Sequence, residues 1–178
     1  MKEVQLHNGQ KLIIRKATPD DASHIIAYID QISRETDYLT FGPGEFGISV
    51  DQEIAFIESV QNSDNQLMIC AFVDHAIVGQ LTFMGGSRPR TRHTGELGVS
   101  VLKKDWRLGV GTELIKYSLN WAKETHIVRK VNLRVRSDNA GAIRLYESLG
   151  FVYEGKKTRE FSVDGIFYDS IHMGIEIN

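Results

Sequence analysis

Two glycines stand two positions apart at Gly109 and Gly111, where a predicted strand leads through a turn into a predicted helix. Such a junction leaves unpaired backbone N–H groups at the positive end of the helix dipole, and these groups bind anions such as phosphate. A Rossmann fingerprint is not satisfied, because position 114 is Leu where the third glycine belongs, and no Gly-Lys-Ser/Thr of a P-loop follows. The stretch predicts a pyrophosphate site of another type or, as the alternative, an ordinary loop-to-helix junction.

A second stretch, residues 139–155, reads Asn-Ala-Gly-Ala-Ile-Arg-Leu-Tyr-Glu-Ser-Leu-Gly-Phe-Val-Tyr-Glu-Gly. Together with the glycine turn, it resembles the GNAT family of N-acetyltransferases. The family's acyl-CoA turn, Gln/Arg-x-x-Gly-x-Gly/Ala, is similar to residues 106–111. Its later motif, Asn-x-x-Ala-x-x-Leu-Tyr-x-x-x-Gly-Phe, is matched at every named position from Asn139 to Phe151. One position departs, because Trp106 stands where the family usually has Gln or Arg, with Arg107 one place later.

The resemblance implies acetyl-CoA as a cosubstrate, and a direct transfer that needs no metal. The backbone of Val99 and Val101 would pair with the pantetheine arm as if with another strand, although simple strand core is the alternative for both residues. Asn139 would contact the cofactor from the next helix start, or would serve as the cap of that helix. The pyrophosphate would lie on the turn and the first helical residues, which are Arg107, Leu108, Gly109, Val110, Gly111 and Thr112.

Acetyl transfer to an amine needs a neutral nitrogen, and an alkylammonium of pKa ~10.4 is neutral in about one molecule in 2,500 at pH 7. A general base therefore helps, and Glu96 is the candidate because it alternates with Leu97 on the strand beside the expected thioester. The alternative for Glu96 is a solvated strand-end carboxylate. Tyr146 matches the family tyrosine that donates a hydrogen bond to the departing sulfur, and its alternative is an aromatic residue in the apolar stripe of a helix.

The periodicity of the sequence predicts the strands and helices that must position these residues. The order of these elements predicts an α/β fold of the mixed α+β kind, with a central, mostly antiparallel mixed sheet and helices on both faces. One N-acetyltransferase domain is expected over residues 1–178. The predicted strands cover 11–16, 66–73, 76–84, 96–101, 130–136, 152–161 and 168–176, and the predicted helices start at Thr18, Ser49, Gly109 and Asn139.

The composition of the 178 residues, 42% hydrophobic and 25% charged, is that of an ordinary globular domain. The 21 basic and 23 acidic side chains give a net charge of -2, which argues against a nucleic-acid partner. No window predicts a membrane span or a secretory signal, so no membrane partner is expected. The single cysteine, Cys70, lies in an apolar run and predicts a buried, reduced thiol and a cytoplasmic location.

The favoured function is an N-acetyltransferase that acts on a small-molecule amine or a peptide N-terminus. Two alternatives are a non-catalytic acyl-CoA-binding regulator and a domain whose glycine turn is purely structural. By resemblance, the acceptor is expected to meet residues 34–46 and 161–168, and the first of these segments is moderately acidic. Homodimers are common in the family, so a second copy of the chain is a further expected partner.

Overall fold

Eight strands and four α-helices build the molecule in a computed structural model that describes all 178 residues. The strands form one sheet in the order β1-β2-β3-β4-β5-β6-β8-β7, and β5 with β6 is its parallel pair. The predicted fold class is therefore confirmed. None of the helices combines the length and the apolar character that crossing a bilayer requires. The strands are β1 (Lys2–Gln5), β2 (Lys11–Lys16), β3 (Gln66–Val73), β4 (Ala76–Gly85), β5 (Thr94–Val101), β6 (Lys130–Arg136), β7 (Val152–Val163) and β8 (Ile166–Glu176), and the helices are α1 (Ala22–Glu35), α2 (Val50–Gln61), α3 (Val110–Thr125) and α4 (Ala140–Ser148).

Helices cover both faces of the sheet, each over its own apolar cluster. On the face called here the α1 face, helices α1 and α2 pack on alternate residues of β3 such as Met68 and Cys70. On the opposite, α3 face, helices α3 and α4 pack on the intervening residues, such as Leu67 and Ile69. This alternation follows from the two-residue period of a strand. Each strand therefore presents one set of side chains to α1 and the other set to α3.

The N-terminal strand β1 is a difference from the prediction that residues 11–16 form the first strand. Three of its four residues, Lys-Glu-Val-Gln, are polar, and the strand is half exposed, so no apolar run indicates it. Tertiary contacts hold it instead: Val4 lies opposite Leu12 of β2, and Lys2 forms an ion pair with Glu113 of α3 at 2.7 Å. A second, smaller difference is a 3-10 turn over Pro19–Asp21 that precedes the helix predicted from Thr18.

An unpaired strand edge opens in the middle of the sheet. Strands β5 and β6 pair as far as Glu96 opposite Asn132, whereas β5 stays paired with β4 up to Val101. The Leu102 N–H donates to the Val78 carbonyl at 2.9 Å, which places the Leu102 N–H on the β4 side. Because backbone groups along a strand alternate between its two sides, those of Val99 and Val101 point toward β6. The space between β5 and β6 beyond this last pair is called the β5–β6 gap below.

Candidate active site

The glycine turn lies at the end of the β5–β6 gap and opens α3. Arg107 and Gly109 both adopt left-handed conformations, with φ of 62° and 103°. Such turns, placed next to right-handed residues, direct successive N–H groups into a concavity that binds anions. The first intrahelical bond of α3 runs from the Glu113 N–H to the Gly109 carbonyl. The preceding amides of the first turn are therefore free, because a glycine at the N-cap has no side chain to bind them.

The N-terminal hairpin braces this turn from behind. The His7 N–H donates to the Leu108 carbonyl at 3.2 Å, and the His7 ring Nδ1 lies 3.3 Å from the Arg107 carbonyl. The ion pair between Lys2 and Glu113 joins the same hairpin to the first turn of α3. The N-terminal hairpin thereby binds the carbonyls of both Arg107 and Leu108. The free amides of the turn therefore face away from this hairpin. Nothing local in the sequence indicates these contacts, which join residues about a hundred positions apart.

Trp106, the residue that departs from the family motif, binds the strand edge. Its indole Nε1 donates to the Val101 carbonyl at 2.6 Å, and the residue is 41% exposed. The Val101 carbonyl thus already accepts one hydrogen bond within the chain. Val99 keeps both its N–H and its carbonyl toward the β5–β6 gap. Trp106 therefore leaves Val99 as the residue of this edge whose backbone groups are both free for a ligand.

Glu96 lies on the α1 face at the last β5–β6 pair. Its neighbour Leu97 is 4% exposed in the apolar cluster of the opposite face, so the predicted alternation of the two side chains is found. The Glu96 side chain is 55% exposed, and its Oε1 lies 3.0 Å from Nε of Arg134 on β6. Arg134 was not among the expected site residues. The alternation of polar and apolar residues along β6 indicates the face on which Arg134 lies, but not its partner.

Tyr146 lies on the α3 face, opposite Glu96. The residue is 7% exposed, and its ring packs edge-on against Phe151 at a centroid distance of 5.9 Å. Burial raises the pKa of Tyr146 to about 12. Since a thiol has a pKa of ~8.5, full proton transfer from this phenol to a thiolate would be uphill by about 5 kcal/mol. The buried phenol is therefore suited to donate a hydrogen bond rather than to give up its proton.

Asn139 opens α4 as its cap. Its Oδ1 accepts a hydrogen bond from the Ala142 N–H at 3.2 Å. Helix capping is one of the two roles that the sequence predicts for Asn139, and cofactor binding is the other. The side-chain NH2 group of Asn139 forms no hydrogen bond within the chain, so the two N–H donors of this group stay free. Helix α4 also approaches the glycine turn, because a Cβ on Gly111 would lie 3.4 Å from the Leu145 side chain.

The segment between α1 and α2 crosses the end of the β5–β6 gap on the α1 face. The Glu35 carboxylate accepts a hydrogen bond from the Lys103 N–H at 2.7 Å, just beyond β5. On the other side, Nη1 of Arg136 at the end of β6 donates to the Asp37 carbonyl at 3.1 Å. Arg136 is 7% exposed and also binds Asp138 through two hydrogen bonds. Two aromatic rings enclose its guanidinium, Tyr38 at 4.5 Å and Tyr168 at 4.0 Å.

Comparison with known proteins bears on this arrangement. Residues 27–151 match the Acetyltransferase (GNAT) family. The chain is 31% identical over 108 residues to the L-amino acid N-acetyltransferase AaaT of Escherichia coli K12, a match that covers 61% of this chain and 65% of that protein. It is 41% identical over 69 residues to an N-alpha-acetyltransferase of Sulfurisphaera tokodaii, which covers 39% of this chain and 41% of that protein. The chain therefore spans less than two thirds of the length of either relative.

A solved structure extends the likeness to nearly the whole chain. The crystal structure of a GNAT-family acetyltransferase from Streptococcus pneumoniae has a TM-score of 0.91 and 32% sequence identity, over 94% of this chain and 99% of that one. The glycine turn, the unpaired edge of β5 and the start of α4 thus lie in a sheet and helix arrangement that this solved protein shares. The chain belongs to the GNAT family of acetyltransferases.

Proposed function

We propose that the chain is an N-acetyltransferase that moves an acetyl group from acetyl-CoA to the primary amine of a small molecule or a peptide N-terminus. One observation carries the proposal: Glu96 lies on the α1 face at the last β5–β6 pair, and Tyr146 belongs to the apolar cluster of the opposite face. A base is thus available where an amine approaches, and a hydrogen-bond donor is available where a sulfur departs. The amino-acid and N-alpha acetyltransferases among the relatives support an amine acceptor.

The residues of the gap fit the expected cosubstrate. Acetyl-CoA supplies an acetyl thioester, from which the acetyl carbon passes to the amine nitrogen as the carbon–sulfur bond breaks. The free edge of Val99 offers one N–H and one carbonyl for the amides of a pantetheine arm. The open amides of Val110, Gly111 and Thr112, beside left-handed Gly109, offer donors for a pyrophosphate. The left-handed φ of 103° at Gly109 is a conformation that L side chains rarely adopt, so glycine keeps this turn unstrained.

Glu96 is proposed to take up the proton that the attacking amine loses, directly or through a water molecule. Its exposure on the α1 face leaves room for the amine, and in the absence of an acceptor the carboxylate is paired with Arg134. We expect Glu96→Gln to lower kcat about 100-fold for alkylamines, the lower end of the range for general-base catalysis. The loss should shrink for amines of pKa near 7, which are already half neutral at pH 7.

Steady-state assays across a series of amines of graded pKa would measure this effect. Glu124→Gln is the matched control, because Glu124 is an exposed carboxylate on α3 that has no part in the site. An equal loss for every amine, whatever its pKa, would contradict a role for Glu96 in proton removal.

The most direct test of the function is an assay of thiol release from acetyl-CoA. The acceptor panel contains polyamines, amino acids, aminoglycosides and peptides with free N-termini. Acetyl-CoA at 100 times its Kd should also stabilise the protein by about 2.7 kcal/mol in thermal unfolding. Thermal stabilisation without turnover of any acceptor would favour the acyl-CoA-binding regulator. The absence of both stabilisation and turnover would indicate that the glycine turn has only a structural role.

Three further expectations stay predictions. A homodimer is expected from the family resemblance alone. The cytoplasmic location is supported by Cys70, which is buried as a free thiol. A single domain is supported by the one sheet to which all eight strands belong.

A further inference from the structure

The α1 face of the sheet carries an ionic row beside the proposed base. Glu96 on β5 contacts Arg134 on β6, and Arg134 lies opposite His172 on β8. The row continues to Glu160 on β7, whose carboxylate lies 3.5 Å from Nη1 of Arg134. The acceptor side of the β5–β6 gap is thus lined by an arginine that lies between two carboxylates.

The guanidinium of Arg134 is held less completely than that of Arg136, two residues further along β6. Arg136 binds Asp138 through two hydrogen bonds at 2.7 and 3.0 Å, and its side chain is 7% exposed. Arg134 instead contacts each of its carboxylates at one nitrogen, at 3.0 and 3.5 Å, and its side chain is 39% exposed. A guanidinium carries five N–H donors in a planar fork that matches a carboxylate. Arg134 therefore retains donors for a further carboxylate.

Glu160 has other partners besides Arg134. Hydrogen bonds from Lys157 and Ser170 are the main causes that lower the pKa of Glu160 to about 2, and the charge of Arg134 adds a smaller lowering. The Lys157 contact measures 2.7 Å, and Nε2 of His172 lies 3.3 Å from the same carboxylate. Glu160 is thus already well satisfied by these neighbours. A ligand that draws Arg134 away from Glu160 would leave no unpaired carboxylate behind.

The position of Arg134 restricts which acceptors can contact Glu96 and Arg134 at the same time. In an α-amino acid the amine nitrogen and the carboxyl carbon are bonded to the same carbon, and lie about 2.5 Å apart. An amine that approaches Glu96 would therefore bring its own carboxylate within reach of the Arg134 guanidinium, which is 3.0 Å from Glu96. In a peptide N-terminus the corresponding carbonyl is an uncharged amide, which does not form a charge-assisted pair with a guanidinium.

On the basis of the proposed function, we propose that Arg134 selects acceptors that carry a carboxylate next to the amine. Free α-amino acids are then preferred over peptide N-termini and simple amines. When such an acceptor binds, its carboxylate takes the fork of Arg134 and competes with Glu96 for it. The carboxylate of Glu96 is then released beside the amine that it must deprotonate. Recognition of the acceptor and availability of the base are coupled through one side chain.

The experiment compares the common L-amino acids with their matched carboxamides in the thiol-release assay, with wild-type protein and with Arg134→Met. Wild type is expected to show a kcat/KM at least tenfold higher for the free acids. In Arg134→Met this acid-to-amide ratio should fall toward one. The lower basicity of the amine in a carboxamide is the same for both proteins, so it cancels when their ratios are compared. Arg134→Lys keeps the charge without the fork and should give an intermediate ratio.

Arg129→Met is the matched control, because Arg129 is an exposed arginine just before β6 that lies outside the ionic row. It should keep the wild-type ratio, and circular dichroism with thermal unfolding establishes that each variant is folded. An unchanged ratio in Arg134→Met, or a wild type that acetylates acids and carboxamides equally well, would overturn the inference while leaving the acetyltransferase function intact. Turnover of polyamines alone would overturn it as well. The absence of turnover with every amine would remove the proposed function itself.

Discussion

Replacing Tyr146 by Phe is expected to lower kcat roughly 10- to 150-fold, because a hydrogen bond to a charged partner contributes about 1.5–3 kcal/mol. The Kd of acetyl-CoA should stay nearly unchanged, since the phenol acts on charge that develops on sulfur as the carbon–sulfur bond breaks. Stability should also be preserved, because Phe keeps the edge-on contact with Phe151. Pre-steady-state thiol release, with Kd measured separately by calorimetry, would separate these quantities.

The pH dependence of the wild-type protein gives a second view of the same residue. Because burial raises the pKa of Tyr146 to about 12, the phenol stays protonated at every lower pH. No loss of kcat between pH 8 and 10 should therefore arise from Tyr146. Tyr153→Phe serves as the control, because Tyr153 is 61% exposed on β7. Equal kcat values for Tyr146→Phe and wild type would remove Tyr146 from the mechanism.

Replacing Gly109 by Val is expected to weaken acetyl-CoA binding roughly 100-fold, equivalent to about 2.8 kcal/mol. A β-branched residue is strongly disfavoured at the φ of 103° that Gly109 adopts, so the turn must change its backbone conformation. The amides of Val110 and Gly111 would then no longer converge on one anion. Isothermal titration with acetyl-CoA, repeated with an acetyl-pantetheine fragment that lacks the pyrophosphate, measures the effect. The fragment should lose little affinity.

Gly165→Val separates loss of binding from backbone strain. Gly165 also adopts a left-handed conformation, with φ of 79°, in the turn between β7 and β8, and no atom lies within 4 Å of the position of an added Cβ. It should lower Tm by an amount similar to Gly109→Val while keeping the Kd of acetyl-CoA. If both variants weakened binding equally, general destabilisation would explain the result. The glycine turn at Gly109 could then no longer be assigned as the pyrophosphate site.

The sequence predicts best those parts of the fold that depend on local backbone chemistry. Ser49 and Gln52 form the predicted capping box at the start of α2, with both reciprocal hydrogen bonds present. The hairpin predicted across Asp74 and His75 is found, and both residues adopt the left-handed conformations that two-residue turns favour. In the candidate site, the same kind of local information places Gly109 at a helix start.

Contacts between distant segments explain what the sequence does not predict. Strand β1 has no apolar run and is held by its pairing with β2 and by the contact of Lys2 with Glu113. The hydrogen bond of Trp106 to the Val101 carbonyl depends on how the chain bends after β5. Arg134 reaches Glu96 because β5 and β6 are parallel and in register there, which no pattern within either strand specifies.

The two anchors of the segment after α1 have a consequence for engineering. Arg136 holds its beginning at Asp37, and the capping box at Ser49 fixes its end, so residues 39–48 form a loop that is fixed at both ends. Within this loop, Leu39, Phe41 and Phe46 pack against the apolar cluster of the α1 face, so these three residues have a structural role. A library confined to the other seven of these ten positions would therefore sample new acceptor specificities at little cost in stability, provided that Arg136 is retained.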